Sequence, residues 1–198
     1  MNEFLPVVDG LMLSAELRAL LRPGERTQIR SGAWHELPRF FYQIESWELA
    51  RATKLTAHFT LSELISVDGR EAPRLLREFP HYVPCTVSIL ARYLEEFRER
   101  AGVPVYVSVN GGYRSPAHRL APGGSAHLWA AAADIYRVGD TWVDSEKTID
   151  RYAKIAASIG PEVYVKPFGP GPEETDDHLH LDLGFLRHIP RGADEGAP

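Results

Sequence analysis

The sequence predicts an α+β domain with a small, mainly antiparallel sheet and flanking helices. Three observations predict it. Two stretches carry apolar residues at helical spacing between recognisable caps, several short runs are rich in strand-forming residues, and Gly- and Pro-rich turns separate them. The 198-residue length fits one domain, and 44% hydrophobic with 25% charged residues fits a globular chain with a buried core.

Residues 1–54 read as an N-terminal extension packing on a main domain at 55–190, with 191–198 a flexible tail. The extension holds a helical stretch from Ser14 to Leu21 and a turn at Pro23–Gly24, and is otherwise irregular. Its aromatic residues Trp34, Phe40, Phe41, Tyr42 and Trp47 are expected to pack on the main domain rather than form a sugar-stacking surface. In HFTLSEL (58–64), Thr60 and Glu63 fit a capping box that opens a short helix. The clearest helix runs from about Pro84 to Arg100. There Val87, Leu90, Ala91, Leu94 and Phe97 recur at helical spacing, Pro84 suits the first turn and Gly102 the end. Val103 to Val109 reads as a buried strand. The turn-rich NGGYRSPAHRLAPGGS (110–125) joins it to a strand around 131–136. A second amphipathic helix is expected at 145–159, with Ile149, Tyr152, Ala153, Ile155 and Ala156 on its apolar side. Strands near 162–166 and 178–184 complete the sheet, with a Gly- and Pro-marked loop between them.

The net charge is −5, so the chain as a whole has no cationic footprint for nucleic acid. Arg92, Arg98 and Arg100 alternate with Glu95, Glu96 and Glu99, the pattern of a solvated helix face. The first ten residues contain acids and no Lys or Arg, so no standard signal peptide is expected. The apolar run from Leu128 to Ala133 is far too short to span a bilayer. The expectation is a soluble protein without a membrane span, either cytoplasmic as made or released by a non-Sec route; oligomeric state has no signature. Cys85 is the only cysteine, so no internal disulfide forms, and it reads as a small buried apolar residue.

Of eight histidines, three fall in two segments that also hold carboxylates, SAHLWAAAAD (125–134) and DDHLHLDLG (176–184). Zinc binds imidazole nitrogen and carboxylate oxygen, and a hydrolytic site keeps three protein ligands plus an open position. His127, Asp134 and one histidine of the second segment supply such a set. Strand alternation places His178, His180 and Asp182 on one face, so one histidine is expected to be the ligand and the other its neighbour. The alanines between His127 and Asp134 let the backbone pass close to an ion. A metal-free core strand explains the alanines equally well, but leaves His127 and Asp134 as polar groups needing partners.

SAHLWAAAAD resembles the Ser-x-His-x-x-Gly-x-Ala-x-Asp signature of the zinc D-Ala-D-Ala carboxypeptidases, the M15 peptidase family, with Ser125, His127, Ala132 and Asp134 in place. GGYRSPAHR (111–119) is similar to the Gly-Tyr-Arg-Ser-Pro stretch that precedes it in those enzymes. HLHLDLG (178–184) resembles their ligand strand, and HFTLSEL their usual domain opening. The four blocks cover roughly 55–186 in the family's order. The resemblance implies a Hedgehog/DD-peptidase-like fold and a Zn²⁺ held by His127, Asp134 and His180. It further implies hydrolysis of peptidoglycan-derived stem peptides, with Asp177 as general base and Arg114 on the oxyanion. Ser125 would contact substrate and His178 would act as outer-shell or transition-state donor. Asp182 is expected to be a structural strand-end acid or one that supports a ligand from behind, rather than a ligand itself, with His118 and Arg119 at the cleft rim. One position departs from the signature: its glycine is Ala130, which costs roughly 1 kcal/mol if the site requires positive φ.

Two other readings fit parts of the pattern. A peptidase-like module that binds cell-wall peptides without cleaving them would tolerate Ala130. A non-haem Fe(II) oxygenase also uses two histidines and a carboxylate, but with His and acid two apart rather than seven.

Overall fold

The computed structural model describes residues 5–67, 81–120, 124–191 and 193. The fold is α+β with antiparallel sheets, as the sequence predicts. Its central sheet has strands β6 (Val105–Val107), β7 (Ala132–Val138), β8 (Thr141–Trp142), β9 (Tyr164–Val165) and β10 (Leu179–Asp182). They run in the order β6-β7-β10-β9, with β8 paired to β7. A second sheet joins β1 (Val7–Asp9), β4 (Phe40–Ile44) and β5 (His81–Pro84), and β2 (Arg26–Gln28) with β3 (Trp34–Glu36) form a separate hairpin.

The helices are α1 (Ala15–Leu21), α2 (Trp47–Ala52), α3 (Leu61–Ile65), α4 (Val87–Ala101) and α5 (Glu146–Ala157). Ser14 caps α1 and the Thr60–Glu63 capping box opens α3, both as their residue types require. On α4, Val87, Leu90, Ala91, Leu94 and Phe97 are all fully buried, and the larger of these contribute roughly 1.5–3 kcal/mol each. Gly102 ends the helix in the left-handed conformation that an L side chain resists. On α5, Ile149, Tyr152 and Ala156 are buried, and Tyr152 meets Phe97 of α4 edge-on at 6.5 Å. Both helices thus share one core with the inner face of β7 and β10, through Ala133, Ile135, Leu179 and Leu181.

The sequence reading differs from this fold in several places. Residues 5–50 are not irregular: they hold β1 to β4 and much of α2. Three-residue strands, and a β4 whose aromatics are buried on consecutive positions, give no period to read. Phe40 and Phe41 are buried as expected, whereas Trp34 is exposed. Pro84 lies not in the first turn of α4 but at the end of β5, an edge strand where its missing N–H does no harm. The expected strand at 103–109 shrinks to three residues, because the register shifts at Tyr106/Val107 and the chain turns away at Ser108. The C-terminal stretch read as a tail lies, apart from 191 and 193, outside the described residues. No described helix is long and apolar enough to cross a membrane.

Residues 5–54 join the rest of the chain through paired backbone and shared core. β4 pairs with β5. Leu37 packs with Leu128, Trp129 and Ala131, and the Trp129 indole N–H donates to the Glu36 carbonyl at 2.9 Å.

Candidate metal centre

The strand register builds the centre. β10 pairs with β7 so that His180 lies opposite Asp134, Asp182 opposite Ala132, and Leu181 and Leu179 opposite Ala133 and Ile135. Opposed residues share a face, so the leucines point into the core while His180, Asp182 and Asp134 point to the other side. Ala132 leaves that side open beside Asp182. His127 enters from a 3-10 turn, Ala126–Trp129, which Ser125 precedes and Ala130 ends. Ala130 has φ 52° and ψ 36°, the left-handed conformation, and is fully buried. The position therefore is one that favours glycine, and this chain holds an alanine there.

Side-chain ligand atoms of His127, Asp134 and His180 all lie within 4.8 Å of one another, and all three residues are buried. Asp134 Oδ1 is 2.7 Å from His180 Nδ1 and 3.3 Å from His127 Nε2. The outer atoms fix what faces inward. His127 Nδ1 donates to the Gly112 carbonyl at 2.7 Å, and His180 Nε2 donates to the Asp182 carboxylate at 3.1 Å. Each imidazole then turns its remaining nitrogen toward Asp134, as an acceptor in the neutral ring. Arg114 Nη2 donates to Asp134 Oδ2, leaving Oδ1 as the inward oxygen.

Three buried acceptors aimed at one another repel unless a cation or proton lies among them. Burial holds His127 below the usual imidazole range, which keeps it neutral. Burial also opposes charging of Asp134, but the facing imidazoles win and hold its carboxyl well below the usual range. For His180 burial is likewise outweighed, by Asp134 and Asp182, which raise it. A proton on His180 is thus what balances the centre without an ion, and a divalent cation suits the same donor set of two imidazoles and one carboxylate.

The motif blocks meet here through backbone. Tyr113 and Asn110 N–H groups donate to Leu64 and Ser66 carbonyls at the end of α3, each at 2.8 Å. Gly111 O accepts from Asp134 N at 2.8 Å, and Gly112 O holds His127. A Cβ on Gly112 would stand 2.1 Å from the Leu64 carbonyl oxygen, so only glycine permits this approach.

Comparison with family models, with curated proteins and with solved structures finds no match to this chain. The geometry and the motif resemblance therefore carry the functional argument.

A cleft of about 1050 Å³ opens over the centre, lined by Ser125, His127, Asp134, His178 and His180 together with Arg114. Ile29, Arg30 and Ser31, from the loop between β2 and β3, form part of its wall. His178 Nε2 reaches to 3.3 Å from Asp134 Oδ1, and its Nδ1 meets Asp177 Oδ1 at 2.5 Å. His178 thus stands beside His180 at the edge of the centre.

Asp177, Arg114 and His118 are placed differently from what was expected of them. Asp177 is 80% exposed and not part of the cleft wall, lying in the bend before β10 while His178 lines the cleft. It touches the centre only through His178. Arg114 is engaged with Asp134, with Asn110 O through Nε at 2.6 Å and with Leu120 O through Nη1 at 3.2 Å, so its contacts brace Asp134 and a turn. Asp182 does both things expected of it, orienting His180 from behind and accepting from Gly184 N at 2.8 Å at the strand end. Arg119 lines the cleft, whereas His118 is buried and braces Asn110 at 3.1 Å. Sequence reasoning missed the Gly112 carbonyl, because a backbone partner has no residue signature.

Proposed function

We propose that this chain is a zinc-dependent peptidase of the D-Ala-D-Ala carboxypeptidase type, acting on peptidoglycan stem peptides. The observation that supports this best is the convergence of His127 Nε2, His180 Nδ1 and Asp134 Oδ1, with every outer atom tied down, at the floor of an open cleft. The four motif blocks support the family within that reading. His127, Asp134 and His180 are the residues that would hold zinc, which when bound acidifies water and polarises a carbonyl.

The chain's own residues divide the remaining work. Asp177 holds His178 by Nδ1, which turns Nε2 into the cleft as the atom that takes a proton from the attacking water and returns it to the leaving amine. Asp177 then acts through His178 rather than on water directly. Ser125 lines the cleft at the head of the 3-10 turn, placed to hydrogen-bond the peptide. Arg114 keeps Asp134 oriented.

The test is hydrolysis of a stem pentapeptide, read by mass analysis, with two variants. Asp177→Asn and His178→Ala are both expected to retain metal and to lose turnover, by roughly 10²-fold or more for His178→Ala. Wild-type turnover by His178→Ala would remove the proton-transfer role, and intact peptide with the zinc-loaded wild type would remove the peptidase reading. A binding module for cell-wall peptides is the second reading, favoured by the strained Ala130; it predicts peptide binding without cleavage.

A further inference from the structure

Four cationic side chains line the cleft: Arg30, Arg114, Arg119 and Lys166. Arg114 is bound to Asp134, Arg30 pairs with Glu173 at 2.6 Å, and Arg119 also has a partner. Lys166 is different. Among the described residues its ammonium has no ion pair or hydrogen-bond partner, although the residue is half-buried.

Its position follows from the register. β9 pairs with β10 as Val165 opposite Leu181 and Tyr164 opposite Asp182. One step further, Lys166 N donates to His180 O at 3.2 Å, which sets Lys166 across from His180. Asp134, His180 and Lys166 therefore form one row across three neighbouring strands, on the face that carries the centre. Strands lie about 4.8 Å apart, so the row puts Lys166 one strand beyond a metal ligand. A lysine stem is long enough to bring its ammonium over the cleft from there.

We propose that Lys166 is a specificity-determining residue that pairs with the free C-terminal carboxylate of the peptide. This rests on the peptidase reading and deepens it, because such an anchor beside the centre selects removal of a C-terminal residue over cleavage within a longer strand. An unpaired ammonium on a partly desolvated wall favours an anionic ligand, and a flexible single cation suits a carboxylate whose exact approach varies.

The experiment compares a stem pentapeptide with its C-terminal amide, on zinc-loaded protein, by calorimetric binding and by mass-analysed hydrolysis. Wild type is expected to bind the free acid on the order of 10-fold tighter than the amide, and this preference shrinks with added salt. Lys166→Met should hold zinc as wild type does, melt at the same temperature and bind both peptides alike. Lys166→Arg should restore most of the preference. Wild type that binds acid and amide equally would overturn the proposal. So would a Lys166→Met variant that keeps the preference, or one that loses turnover on both peptides without change in binding. Absence of bound zinc from the wild type would instead sink the peptidase reading itself, so the two failures are separable.

Discussion

At the scale of single residues, the centre is a set of hydrogen bonds that decide which atoms face inward. His127 and His180 each have one nitrogen committed outward, to Gly112 O and to Asp182, and Asp134 has one oxygen committed to Arg114. Ala130 is the least comfortable residue beside it. Replacing it by glycine removes about 1 kcal/mol of left-handed strain but gives up a buried methyl worth about 0.8 kcal/mol. Ala130→Gly should therefore change stability by less than about 1 kcal/mol in a denaturant titration. Ala130→Val adds branching at φ 52° inside a full core, and should cost about 2 kcal/mol or more. Equal stability of the valine variant would show that the turn is not held as described. Cys85 lies at the other extreme. Burial pushes its thiol up to about 12, so at pH 8 roughly one molecule in 10⁴ carries the thiolate. Iodoacetamide should leave the native protein unlabelled at that pH, label it faster as pH rises, and label it readily once unfolded. Rapid native labelling at pH 8 would contradict the burial.

At the scale of elements, the turn between β6 and β7 joins the parts of the centre. Its N–H groups reach the end of α3, its carbonyls reach Asp134 and His127, and Gly112 permits the approach by having no Cβ. Gly112→Ala should therefore lose about 1–3 kcal/mol of stability and weaken metal affinity by about 10- to 100-fold, since the carbonyl that orients His127 must move. Tight metal binding by that variant would show that Gly112 O is not needed. These contacts also explain what could be read beforehand. α1, α3, α4 and α5 were legible because caps and apolar spacing are local. Alternation put His178, His180 and Asp182 on one face without choosing between the histidines, and only the motif resemblance singled out His180. The short strands of the first 44 residues were not legible, since their order comes from partners such as β5, far away in the chain. The outward turn of Asp177 and the engagement of Arg114 depend on side-chain direction, which residue spacing does not state.

At the scale of the molecule, the centre ties segments that unfolding separates: Asp134 and His180 stand 46 residues apart, on strands paired only in the folded chain. A metal held there binds the native state alone, so binding free energy becomes folding free energy. Zinc at about 1,000 times its dissociation constant should add about 4 kcal/mol, which for a chain of this size raises Tm by about 10 °C. Excess chelator should reverse the shift, and His127→Ala should show none. The cleft wall above the centre depends less on its visible ion pair than on packing. Arg30 and Glu173 are both more than half exposed, and such pairs contribute little. The loop that carries Arg30 is instead held through Ile29, which packs against the small core of Leu37, Leu128, Trp129 and Ala131.

The most direct test is the metal content of the purified protein after zinc loading and dialysis, for wild type and for Asp134→Asn. One zinc per chain in the wild type, and none in the variant, is the expected result. A wild type that retains no zinc, or a variant that retains it fully, would contradict the claim that these three side chains share one ion.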